Sequence, residues 1–194
     1  MSISKILTAI RKATNASDAF DKLVAIASSH AKYADWEKLR FPKCFEKDVR
    51  DAAKWIEKSL ADYPAAGVYL GLDTLNERRG WGTNLEIGMN SHADPSKKNI
   101  DWVFNCEQYG KKHLIRGLYE LHRSYQKFDL EYPADLEADY ALFLGYSGLV
   151  LAAALERARF RRDCMFVWGF HDGDLFLLCR TSAKGVERLA QQAA

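Results

Sequence analysis

Two carboxylates, Asp73 and Glu86, lie in a stretch where apolar and polar residues alternate, and the alternation brings both to one side of a ribbon. Val68, Leu70 and Leu72 alternate with Tyr69, Gly71 and Asp73; beyond a polar turn at Asn76 to Gly80, Leu85, Ile87 and Met89 alternate with Asn84, Glu86 and Gly88. If the two lie across from each other, their repulsion would raise one of the pKa values and allow an acid/base pair or a cation site. Gly71 and Gly88 on the same face leave room for a ligand or another backbone to approach. The candidate ligand-binding set is Tyr69, Asp73, Asn84 and Glu86, with His171 contributed from a second hairpin. The plainer reading is a face that meets water or Lys and Arg partners.

His171-Asp172-Gly173-Asp174 places an imidazole and two carboxylates in one tight turn. It lacks the length and terminal acid of an EF-hand loop. Asp and Gly are also what a two-residue hairpin turn requires. Gly145-Tyr146-Ser147-Gly148 resembles the serine turn of α/β-hydrolases, but Leu149 stands where the last glycine should be. Small residues that let helices pack closely explain it better. No set of groups assembles a nucleophile, a base and oxyanion donors, and no cofactor or metal motif is present.

Basic residues gather as Arg78 and Arg79 beside Trp81, as Lys111, Lys112, His113 and Arg116, and as Arg157, Arg159, Arg161 and Arg162. Converging beside Trp81 they could track a phosphate backbone. Interspersed glutamates, and the favourable placing of cations at a helix end, argue against it. The overall balance agrees: 28 Lys+Arg against 26 Asp+Glu leaves +2, too weak a field to mark a nucleic-acid or anionic membrane partner.

Five tryptophans exceed what one core holds, and Trp, Tyr and Arg are favoured interface anchors. Arg78, Arg79 and Trp81 at a hairpin tip are the candidate partner-binding cluster. The expectation is a non-enzymatic protein-binding domain without a cofactor, with a small enzyme or ligand binder second and a nucleic-acid binder third. Size and layout suggest an inhibitor of the immunity type that neutralises a toxin in bacteria. Cys44, Cys106, Cys164 and Cys179 form no Cys-x-x-Cys pair, and the amphipathic start is too interrupted for a secretory signal, so a cytoplasmic location is expected.

The elements that must hold these residues read as one α+β domain over 1–194. Three helices open the chain: the first through Ile3 to Ile10, the second from an N-cap at Ser17 to about Tyr33, the third from about Glu46 to Leu60. The hairpin follows. Ile100 to Cys106 reads as a strand, about Lys111 to Phe128 as a helix with Leu114 on its inner stripe, and Asp135 to Phe160 as a long buried helix. Met165 to Phe170 and Leu175 to Arg180 read as interior strands, and Val186 to Ala190 as a closing helix. The N-terminal helices and two further helices would thus pack on a mainly antiparallel sheet of about five strands.

Overall fold

The computed structural model of the chain describes residues 3–30, 35–73, 84–125, 138, 140–159, 162–170 and 174–192. Five α-helices, α1 (Ile3–Arg11), α2 (Ala16–His30), α3 (Phe45–Leu60), α4 (Arg116–Tyr125) and α5 (Gly145–Arg157), pack on a mixed sheet of seven strands among these residues. The strands are β1 (Gly67–Asp73), β2 (Asn84–Asn90), β3 (Gln108–Tyr109), β4 (His113–Leu114), β5 (Cys164–Phe170), β6 (Leu175–Ser182) and β7 (Gly185–Gln192). Their order is β3-β2-β1-β5-β6-β7, with β4 also paired to β2. Only β1 and β5 run parallel, since the helices between them carry the chain back across the sheet. The α+β class and the dominance of antiparallel pairing agree with the sequence; β7 and the two-residue pieces β3 and β4 at the β2 edge are strands that the sequence did not announce.

Alternation decides which residues reach which face. Val68, Leu70, Leu72, Leu85, Ile87 and Met89 join Phe166, Trp168, Phe176 and the helices in the main core. Tyr69, Met165, Val167 and Leu177 lie on the other face, where Ile100 and Val103 cover them as a smaller core. Every residue of β1 is therefore buried. A sheet covered on both sides explains the apolar run of β5, as its sequence implies.

Small residues on α5 seat it against its neighbours: a side chain on Gly145 would strike Leu23 of α2, and one on Gly148 would strike Ile10 of α1 and Trp168. Ser147 is wholly buried and donates to the Leu144 carbonyl, 2.9 Å away. The helix-packing reading of Gly145 to Gly148 thus describes what the structure shows. Tyr140–Leu144 forms a π-helical turn leading into α5, so the expected helix over Asp135 to Phe160 is present from Tyr140 to Arg157 among the described residues, and the chain turns extended at Ala158.

Four local readings need correction. Ile100 to Cys106 is not a strand: Asp101–Asn105 is a 3-10 helix. The Asn99 side chain accepts the Asp101 amide at 2.8 Å, and Val103 N–H donates to Ile100 C=O at 2.8 Å, so local bonding wins over extension. The helix expected from Lys111 begins at Arg116 instead, because Asp48 of α3 accepts the Arg116 and Gly117 amides and fixes the first turn there. Val186 to Ala190 is not a helix but the heart of β7, folded back on β6 by a turn at Ala183 and Lys184 that leads into Gly185, whose φ of +127° suits glycine.

The N-cap of α2 is Asn15 rather than Ser17. Its side-chain oxygen accepts the Ser17 amide at 2.8 Å and the Asp18 amide at 3.4 Å. Asn15→Ala is expected to cost about 1 kcal/mol, measured as a lower urea midpoint; Ser17→Ala should leave it unchanged.

Candidate functional site

Directly opposed residues of an antiparallel pair share a face, and the pairs Tyr69–Gly88, Gly71–Glu86 and Asp73–Asn84 put the expected carboxylate set on one side of the sheet. Lys112 spans its two acids. Its ammonium donates to Asp73 and stands 2.7 Å from Glu86, and these bonds hold the lysine above its ordinary pKa, so it stays charged at neutral pH. The two carboxylates are accordingly joined by a cation. With the lysine half exposed, water screens the bridge and it adds little to stability.

The space above the two glycines is occupied by the chain itself. The Tyr69 ring lies over Gly71, and Cys106 with Tyr109 lies over Gly88, where any side chain would collide with them. The glycines serve close packing of this chain's own residues. His171 lies outside the described residues, as do Arg78, Arg79 and Trp81. The chain that carries those last three leaves the sheet at Asp73 and rejoins it at Asn84.

What this face does present is apolar. Phe104, on the 3-10 helix, is 74% exposed; Tyr109 on β3 is 58% and Leu114 on β4 is 48% exposed. Tyr109 pairs with Gly88 and Leu114 with Asn84, so both side chains stand on the face of Asp73 and Glu86. Burial against Cys106, aided by the charge of Glu86, raises the Tyr109 hydroxyl above its usual pKa, which leaves it a neutral donor. Leu114 was expected inside a helix; the short strand turns it outward. The signal for this strip was present but brief: Lys112 and Leu114 alternate with His113 over too few residues to separate two-residue periodicity from helical spacing.

Among the described residues, several of the basic side chains are held by this chain's own groups. Lys112 is taken by the two carboxylates and Arg157 lies 3.4 Å from Glu46. Arg162 donates to the Leu60 and Tyr63 carbonyls, at 2.8 and 2.7 Å, and so closes the C-terminal end of α3.

A second polar group gathers at Glu107. It accepts from the Tyr63 hydroxyl, from Ser91 N–H and from Ser91 Oγ, the last two at 2.8 Å, and His92 Nε2 lies 3.2 Å away. These hydrogen bonds hold its carboxyl at about 2. Serine and histidine both address the acid and not each other, so no nucleophile is activated. Beside it a cleft of about 240 Å³ is lined by His92, Asp94, Lys97, Asn99, Asp101 and Trp102. Among the described residues, no cluster of three His, Cys, Asp or Glu could hold a metal ion, and no helix is long and apolar enough to cross a membrane.

The chain matches no family model, no curated protein and no solved structure.

Proposed function

We propose that the protein is a non-enzymatic protein-binding domain whose contact surface is the outer margin of the second sheet face: Phe104, Tyr109 and Leu114, with the Lys112 bridge at its rim. The observation that carries this reading is the exposure of those three side chains, two of them on the short strands at the β2 edge. Interfaces are built this way, with aromatic and aliphatic anchors surrounded by polar groups. Arg78, Arg79 and Trp81, in the segment that joins Asp73 to Asn84, belong to the same proposal as a second contact. The occupant is another protein offering an apolar patch. A cytoplasmic toxin-neutralising inhibitor is the form of this function that size and layout suggest; it rests on analogy of type alone.

Affinity capture from the native host with mass spectrometry tests it. The wild-type protein should retain a stoichiometric protein partner. Tyr109→Ala should weaken retention roughly 30-fold, about 2 kcal/mol, as expected for an aromatic anchor, and Leu114→Asp should abolish it. Undiminished capture by both variants would remove this surface from the account, and a co-purified small molecule in place of a protein would favour a ligand-binding role.

A further inference from the structure

The strip that carries Lys112 and Leu114 is fastened to the helix layer through its other side. His113 pairs with Leu85, a helix-facing residue, and so points away from the exposed margin. Its imidazole stacks on the Trp55 indole of α3, with ring centroids 5.1 Å apart and planes 19° from parallel. Trp55 Nε1 in turn donates to the Lys111 carbonyl at 2.7 Å. His113 Nε2 is sealed from solvent with no hydrogen-bond partner among the described residues.

We propose that His113 is an acid-sensitive latch: in its neutral form it holds the Lys111–Leu114 strip against Trp55, and on taking up a proton it releases the strip from β2. Protonation would put a full charge on a ring whose Nε2 is sealed from solvent and has no acceptor among the described residues, a state the closed arrangement does not tolerate. The charges facing the ring are the carboxylates Asp48 and Asp51 of α3, which favour protonation, but burial outweighs them and holds the imidazole below its ordinary value. The latch is therefore fully engaged above the ordinary imidazole value of about 6.5, and its contribution is lost as the pH falls through the lowered value of the folded protein. Because Lys112 and Leu114 ride on this strip, acid would dismantle one margin of the exposed face.

The latch belongs to the free protein, so its test requires no partner and stands apart from the binding proposal. Proton NMR of the wild-type histidine rings gives the His113 titration midpoint. Hydrogen exchange, expressed as protection factors between about pH 8 and pH 5, follows the Asn84–Leu85 and His113–Leu114 ladder. Protection there should fall with acid by up to about tenfold for each unit by which the imidazole is lowered. In His113→Phe, which keeps a ring on Trp55 but cannot take up a proton, this part of the fall should be missing. His122, buried against Phe143 and also lowered by burial, is common to both proteins and cancels in the comparison. A midpoint at or above the ordinary value, or the same acid response in His113→Phe, overturns the proposal. Should that variant fail to fold, the wild-type midpoint decides.

Discussion

Trp168→Ala is expected to lower stability by about 3–5 kcal/mol and Tm by on the order of 10 °C. Trp168 is wholly buried on β5 between the sheet and α5. Its ring packs on Phe176 at a centroid distance of 5.4 Å and would meet any side chain placed on Gly148. Its indole N–H donates to the Leu144 carbonyl at 3.4 Å, where the π-helical turn gives way to α5. Truncation opens a cavity that cannot readily collapse, because Gly145 and Gly148 already hold α5 close to α2 and α1. Urea unfolding followed by circular dichroism measures the loss; one below about 1 kcal/mol would mean that the helix layer repacks freely over the sheet.

Asp48→Ala is expected to cost about 3 kcal/mol by the same measurement. Asp48 is only 2% exposed although it carries a carboxylate. Its oxygens accept the Arg116 and Gly117 amides at 3.1 and 2.8 Å and the Tyr146 hydroxyl at 3.3 Å, with Cys44 Sγ at 3.4 Å. Removing it strands two helix-initiating amides and a buried hydroxyl, each worth about 1–3 kcal/mol when left unpaired. Gly117 permits the arrangement, because a side chain there would strike the Tyr146 ring. Amide exchange should rise first in the opening turn of α4. An unchanged midpoint would show that this carboxylate is not what starts the helix.

The same residues explain what could be read from the chain and what could not. The hairpin of β1 and β2 was legible because seven residues on each strand keep strict alternation, enough to group Tyr69, Asp73, Asn84 and Glu86 on one face; the register, which sets Asp73 opposite Asn84 and Glu86 opposite Gly71, was not. The stripes of α1 to α3 were legible for the corresponding reason at helical period. Their extent was less so: Asn15 takes the capping role assigned to Ser17, since either residue type can cap and only geometry chooses.

What the sequence hides is long-range. Nothing near Arg116 announces that a carboxylate 68 residues earlier sets the start of α4. Val186 to Ala190 has no strong period of its own, and becomes strand because β6 offers an edge and Glu156 receives the Arg188 guanidinium at 2.5 and 2.7 Å. The polar face illustrates the same point at the site. Glycines at 71 and 88 read as space in one dimension, yet Tyr69 of β1 and Cys106, just past the 3-10 helix, fill it. Tyr109 and Leu114 look like ordinary core residues until the sheet edge turns them outward, and Phe104 until the 3-10 helix does.

Hydrogen exchange on the captured complex, compared with the free protein, addresses the binding surface most directly. New protection should concentrate at Phe104 to Tyr109 and at His113 and Leu114, while the helices on the opposite side of the sheet stay unchanged. Protection confined to those helices, or no stoichiometric protein to form the complex, would contradict the assignment of this margin as the working surface.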